Sequence, residues 1–449
     1  MRVFWCALGI AIMSMNNNTL TAHQAEQLSI ATSARVGILT GAAGTGKSFT
    51  IAQFLRSING GYSVAAPTGK AASRINAELN CGARTIHALL EPNRNGHDGD
   101  GWGFNRNESL PLDCSVLVID EAFMLSTSLT ASVLRAVKTG TQVLFTGDPN
   151  QLPPVGHGRP VYDMLQSQVV PHGHLTELHR FAGRIARVAN AIKDGKPWQP
   201  SNKIDLDSEQ PENLRHIETP YPQAVKPKLV QIIDKLKDRG FDPVADVQVI
   251  CALNDKGNLS RKELNPYLQN ILNPNGLQQP SCPYKTGDKI ICTRNHVRSC
   301  LDADRRKNDE QIYIANGEIG QVIDFRMSKA NKCTGIYAAF CGQLVLIEKG
   351  FYPIFDLAYA ITCHKFQGAQ SPVVIGIADD SADRVASRQW WYTLITRASQ
   401  LQITIGRMGT IRRQSRRVDL TARKTFLKER IQDWGFSRAF EDDPELAMI

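Results

Sequence analysis

The residues Gly41, Ala42, Ala43, Gly44, Thr45, Gly46, Lys47 and Ser48 meet the pattern G-x-x-x-x-G-K-[ST] at every position. A stretch of this kind wraps backbone N–H groups around a chain of phosphates. Glycines at its bends permit the left-handed backbone and the close approach that a Cβ would block. Lys47 can reach the terminal phosphates and the Ser48 hydroxyl can ligand Mg²⁺. The helix that runs on through Phe49 adds the partial positive charge of its N-terminus.

Two carboxylates complement the loop. The apolar run from Val116 to Ile119 is closed by Asp120 and Glu121. At the C-terminal edge of a parallel strand beside a phosphate loop, the first is placed to hold Mg²⁺ and the second to polarise an attacking water. Gln151, within GDPNQLPPVG, can touch a γ-phosphate and its surroundings and so report nucleotide state to a second site. Gln24 lies on a predicted helix just upstream, with Thr19 or Thr21 as its N-cap. Its carboxamide can both donate to and accept from an adenine edge, although a helix-surface glutamine needs no ligand.

Short polar and basic groups at helix starts form a second set. Pro67, Thr68 and Lys70 follow the predicted strand Tyr62–Ala66, while Thr85 and His87 open another helix. They suit phosphate contacts on a nucleic-acid strand, but a Thr at a helix start also serves as a plain cap.

The elements that must position these groups alternate strand, loop and helix through residue 190, which predicts a doubly wound parallel sheet in a first domain over 19–197. Residues 91–113 form a Gly-rich insertion carrying Trp102 and Phe104. It reads either as a surface hairpin or as a wedge whose aromatic tip stacks on the first base pair of a duplex. A Pro-rich connector spans 198–227, and a second α/β unit is predicted over 228–406. Within it, short alternating strands with turns such as Asn316-Gly317 predict a small all-β module over 298–348. Residues 407–449 read as a basic helical tail.

The chain is too long for a single core. A hydrophobic fraction of 42% with 21% charged residues is ordinary for a globular protein. The formal charge of +9 favours an anionic partner, yet residues 407–430 alone hold nine Lys or Arg against two acids. Charge elsewhere is nearly balanced, so a nucleic-acid groove must come from local placement; the basic tail adds either DNA affinity or only a solvated face. The ten cysteines show no C-x-x-C pair and read as reduced thiols of a cytoplasmic protein. The apolar run Val3 to Met13 is too short to span a bilayer, and residues 1–18 read as an extension ahead of the folded chain.

The ordered segments GAAGTGKS, APTGKAASRI, TIHALL, LVIDEAFML, LFTGDPNQLPPVGHG, LTELHR, ANGEIGQV, AYAITCHKFQG and YTLITRA resemble the superfamily 1 helicases, most of all the RecD-like and Dda-like branch, superfamily 1B. The resemblance runs from about Leu20 to Ile405. It implies an α/β fold of two RecA-like P-loop NTPase domains, with the hairpin insertion as a pin and the all-β module as a small barrel that helps to hold DNA. It implies ATP and Mg²⁺ as cofactors, and Arg180 and Arg397 as the pair closing on the γ-phosphate from opposite lobes. Asn316, Thr362, His364 and Lys365 join the strand-contacting set. Phe366 departs from the pattern, standing where relatives carry a small residue that lets the backbone approach DNA closely; at this position base stacking could take over that role. The activity implied is ATP-dependent, 5'-to-3' unwinding of DNA by a monomer acting on single strands and forks. Single-strand binding, recombination or replication proteins are its further partners, and no membrane is involved. The rival readings are a translocase that works only as a subunit of a larger complex and a nucleotide-switched clamp that does not move.

Overall fold

The computed structural model describes residues 19–93, 103–177, 183–302, 304–418 and 425–433. Residues 1–18, Trp102 and Arg180 lie outside them.

The first lobe runs α1 (Ala22–Ala31), β1 (Val36–Gly41), α2 (Lys47–Arg56), β2 (Tyr62–Ala66), α3 (Gly69–Leu79), β3 (Arg84–Thr85), α4 (Ile86–Leu90), β4 (Pro92–Asn93), β5 (Gly103–Phe104), β6 (Val116–Ile119), α5 (Thr127–Arg135), β7 (Gln142–Gly147), α6 (Pro160–Ser167) and β8 (His172–Leu175). Six strands pair in the order β3-β2-β6-β7-β1-β8, all parallel. Near-continuous apolar runs in β1, β6 and β7 are what strands covered on both faces require. One face packs Ile38, Leu117, Ile119 and Phe145 against α5 and α6, and the other packs Leu39, Val118 and Leu144 against α2 and α3.

The second lobe contains α7 (Arg184–Lys193), β9 (Leu214–Glu218), α8 (Val225–Asp238), β10 (Val247–Cys251) and α9 (Arg261–Leu272). Then come β11 (Lys289–Cys292), β12 (His296–Leu301), β13 (Lys307–Ile314), β14 (Ile319–Met327), β15 (Cys333–Phe340), β16 (Gln343–Glu348), β17 (Phe355–Leu357), β18 (Ala360–Thr362), β19 (Ser371–Ile377), α10 (Arg388–Ile395), β20 (Ala398–Gly406) and α11 (Met408–Arg416). Strands β18-β10-β19-β20-β9 make a second parallel sheet. Two parallel sheets with helices on both faces are the expected α/β class.

Four boundaries differ from those read in the sequence. The predicted connector 198–227 contains β9, which pairs with β20 and edges the second sheet. Helix α7, assigned by sequence to the first domain, buries Ile185, Val188, Ala189 and Ile192 against Trp390 and Trp391 of the second. Its stripe at 185, 188, 189 and 192 was readable as amphipathic, but periodicity does not say which lobe covers a stripe. The all-β module is wider than 298–348, since β11 and β17 complete a seven-stranded sheet ordered β13-β12-β16-β15-β14-β11-β17. Among the described residues that order has β13 and β17 as its end strands. Finally, α11 is not a free tail. Ile411 is fully buried, Gln414 accepts from Trp391 Nε1 at 3.0 Å, and Arg413 pairs with Asp380 at 2.9 Å and Asp383 at 3.0 Å. Past it, Leu427 and Ile431 pack on the first lobe, where Thr425 bonds Asp163.

Among the described residues no helix is long and apolar enough to cross a membrane.

Candidate nucleotide and strand site

The phosphate loop joins β1 to α2 at the C-terminal edge of the first sheet. Gly44 (φ 87°) and Gly46 (φ 82°) hold left-handed conformations, and a Cβ on Gly41 would lie 2.4 Å from Thr45 Oγ1. The cradle therefore requires these glycines. Lys47 Nζ folds back over the loop, donating to Gly41 O at 2.6 Å and Ala42 O at 3.0 Å. Ser48 opens α2 half-buried, and Phe49 is exposed. Ala42, Ala43 and Gly44 also line a cavity of about 100 Å³ with Asn190, Gln370, Tyr392, Thr396 and Ser399 of the second lobe, so the loop faces a seam between the two.

Asp120 and Glu121 follow β6, buried to 3% and 6% exposure. Asp120 Oδ1 accepts from Thr146 Oγ1 at 2.6 Å. Glu121 takes a left-handed backbone, φ 51° and ψ 35°, which costs on the order of 1–3 kcal/mol for a residue with a Cβ. Burial pushes the Glu121 carboxyl up, but Arg74, Arg397 and Lys47 outweigh it and hold the group below the usual carboxylate range. The oxygens of Ser48 and Asp120 are the hard donors that a divalent ion carried by a triphosphate takes, and the cationic loop suits the phosphates themselves.

Gln151 and Arg397 meet across the seam. Arg397 is 1% exposed; its Nη2 donates to Gln151 Oε1 at 2.8 Å, Nη1 to Ala369 O at 3.2 Å and Nε to Thr393 O at 3.2 Å. The segment carrying Gln151 is stitched to the second lobe at three further points. Tyr392 Oη donates to Asp148 Oδ2 at 2.6 Å, Leu152 N to Thr393 Oγ1 at 2.8 Å and Gln367 Nε2 to Leu152 O at 3.2 Å. Tyr392→Phe strands a buried carboxylate oxygen. It should destabilise the protein by about 2 kcal/mol, read from urea unfolding; an unmoved midpoint would mean that water or a neighbour already satisfies Asp148.

Gln24 is buried, and its carboxamide closes a capping box: Oε1 accepts from Thr21 N and Gln24 N donates to Thr21 Oγ1, both at 3.1 Å. The Thr-x-x-Gln spacing was itself the signal for this local duty.

The proposed strand contacts gather where α3 and α4 face the β-module and the second lobe. Thr68 and Thr85 are N-caps, accepting from Ala71 N at 3.2 Å and Ala88 N at 3.1 Å. Pro67 is half-buried ahead of Thr68. Lys70 Nζ lies 5.2 Å over the Phe366 ring, and burial, opposed by Glu318, lowers its ammonium to about 8. Thr362 Oγ1 accepts from Lys365 N at 3.4 Å, His364 and Lys365 are half-buried, and the exposed Asn316 donates its N–H to Asn295 Oδ1 at 2.8 Å. Phe366 is 1% exposed within the second lobe's core, so its ring supports Lys70 and is not open to a stacking base. Likewise Phe104 is no wedge tip. It sits at the base of the β4–β5 hairpin, 5.8 Å from the His87 ring.

The family model described as an AAA domain matches residues 19–210, and that of the UvrD-like helicase C-terminal domain matches 357–403. The ATP-dependent RecD2 DNA helicase of Deinococcus radiodurans is 29% identical over 422 residues, covering 92% of this chain and 52% of its own length. The RecBCD enzyme subunit RecD of Mycobacterium tuberculosis is 26% identical over 453 residues, covering 92% of this chain and 73% of its own. This chain is similar to the RecD-like helicases over most of its length. It spans about half the length of the Deinococcus relative. A solved Pif1 helicase from Bacteroides with ADP-AlF3 and single-stranded DNA aligns over 95% of this chain and 98% of its own, at 17% identity and a TM-score of 0.47. The chain carries both sides of the seam, the phosphate loop on one lobe and Arg397 on the other.

Proposed function

We propose that the chain is an ATP-dependent DNA helicase that moves along single-stranded DNA, 5'-to-3', and unwinds duplex at forks. The observation that carries this reading is Arg397 of one lobe, buried and bonded to Gln151 of the other beside Glu121 and Lys47. A charge that must leave water to reach its partner makes the seam responsive to whatever anion fills it.

Lys47 exchanges its two loop carbonyls for the terminal phosphates. Glu121 orients the attacking water and accepts its proton, Arg397 and Arg180 stabilise charge on the transferring phosphoryl group, and Gln151 passes the state of the seam to the second lobe. Mg²⁺ held by Ser48 and Asp120 would supply charge neutralisation across the phosphates. Gln24 contacts the adenine by exchanging its capping bond. Thr68, Lys70, Thr85 and His87 on one lobe, with Asn316, Thr362, His364 and Lys365 on the other, grip the strand. Directed motion needs a grip that changes with nucleotide state, since equal affinity in both states shifts nothing. A cytoplasmic protein acting in replication, recombination or repair is the setting this activity fits.

Two forked substrates that differ only in which strand carries the overhang test the reading. Unwinding is expected with ATP for the 5' overhang and not without ATP; no unwinding of either fork would reject it. The relationship to a RecD subunit favours a second reading, a translocase that needs partners. Strand separation by the purified chain alone would exclude it, and turnover that grows with strand length would exclude a stationary clamp.

A further inference from the structure

Arg74 belongs to none of the residue sets that the sequence pointed to. It lies on α3 one helical turn beyond Lys70, so the two side chains share a face. Its Nη2 donates to Asp120 Oδ2 and to Glu121 Oε1, at 3.3 Å in each case. A single cationic nitrogen therefore sits between both carboxylates, whose side chains are only 4% and 8% exposed. Among the described residues its Nε is buried without a hydrogen-bond partner. The guanidinium is thus held by one corner, at distances longer than the 2.7–2.9 Å typical of a two-point arginine–carboxylate fork. Such a contact offsets part of the pair's charge without fastening the arginine.

The first turn of α3 lies at the proposed strand surface. Thr68 caps it, Lys70 stands over Phe366, and a Cβ on Gly69 would come within 2.6 Å of Glu318 Oε2. A Cβ on Gly368 would likewise come within 2.6 Å of Thr68 Oγ1. Both the β-module and the second lobe abut this end, so an added strand must displace something there. A helix of 11 residues transmits a shift at its first turn to its second with little loss.

We propose that Arg74 is the positioning residue through which strand occupancy reaches the hydrolytic carboxylates. With no strand, its guanidinium fills the space between Asp120 and Glu121. A strand seated on Thr68 and Lys70 moves α3 and withdraws it, freeing Glu121 to orient water and Asp120 to take a cation. This rests on the helicase reading above and adds to it the device by which DNA stimulates hydrolysis.

The test measures ATP turnover with and without saturating single-stranded DNA, over a Mg²⁺ titration, for wild type, Arg74→Gln and Arg74→Lys. For Arg74→Gln, strand-free turnover should rise about tenfold and the stimulation ratio fall to match, within the usual span of coupling between two sites. Half-maximal strand-free turnover should also need less Mg²⁺. Arg74→Lys, which restores one cationic nitrogen, should recover part of the restraint. A stimulation ratio in Arg74→Gln equal to that of a responsive wild type overturns this proposal alone. A wild type whose turnover ignores the strand overturns the helicase reading and this proposal with it. Hydrogen exchange on the wild type supplies a check free of folding defects: strand without nucleotide should change the protection of α3, and unchanged protection counts against the proposal.

Discussion

Arg397→Ala is expected to lower DNA-stimulated turnover by about 10³-fold or more while leaving ATP binding within a few-fold of wild type, in line with the weight an arginine finger carries in phosphoryl transfer. The guanidinium is fully enclosed, and its three nitrogens reach Gln151, Ala369 and Thr393. In so dry a place a positive charge acts on developing phosphoryl charge far more strongly than it would in water. Burial lowers the Arg397 pKa and Glu121 opposes that fall, so the charge is held in the seam by the groups that would surround a triphosphate. In the proposed reading the loop, Lys47 and Gln24 bind nucleotide from the other lobe, so truncation at 397 should spare the affinity and reduce the chemical step. The variant also removes the Arg397 donor from Ala369 O and Gln151 Oε1, so Arg397→Lys is needed alongside it. Lysine keeps the charge but cannot reach three acceptors set around a planar fork, and it should recover little of the rate. Nucleotide affinity by equilibrium binding and turnover by phosphate release separate the two effects. Loss of affinity with an unchanged rate constant would place Arg397 outside the chemistry.

The contrast between Arg397 and Arg74 shows what was legible in the sequence. Motifs whose backbone shape is dictated by residue type could be read directly. The glycines at 44 and 46 have the positive φ that their spacing demands, and the run Val116–Ile119 is a strand because four apolar residues ending in two carboxylates have few other uses. The parallel sheets followed from the alternation of such runs with helical stretches. What could not be read were relations across the chain. The Lys70–Arg74 spacing was visible, but nothing in it says that the second residue folds back onto carboxylates 46 and 47 positions later. Helix α7 shows a clear apolar stripe, yet its partner, the Trp390–Trp391 pair, lies some 200 positions away. The same holds for the basic residues after 406: two of them, Arg407 and Arg413, are already paired with Asp380 and Asp383, acids that a local charge count leaves out.

Lys47→Ala should abolish measurable hydrolysis, a loss of more than about 10³-fold, and unlike Arg397→Ala it should also weaken nucleotide binding, because in the proposed mechanism Lys47 meets the terminal phosphates in ground state and transition state alike. The ammonium is bonded to Gly41 O and Ala42 O. Those carbonyls hold it over the cradle, so little side-chain entropy remains to be lost when phosphates arrive. Alanine removes the charge and its two bonds to the loop carbonyls, while the positive φ of Gly44 and Gly46 is set by the backbone and not by the side chain at 47. Strand binding in the absence of nucleotide should therefore persist at near wild-type affinity, because Thr68 and Lys70 are held by α3 and its own cap. What should vanish is the difference in strand affinity between nucleotide-free and ATP-bound protein. Fluorescence anisotropy with a labelled oligonucleotide, with and without a non-hydrolysable ATP analogue, reads that difference directly. Should Lys47→Ala keep a nucleotide-dependent change in strand affinity, the link between the phosphate loop and the grip must run through groups other than the bound triphosphate, and a motor driven from this seam would be excluded.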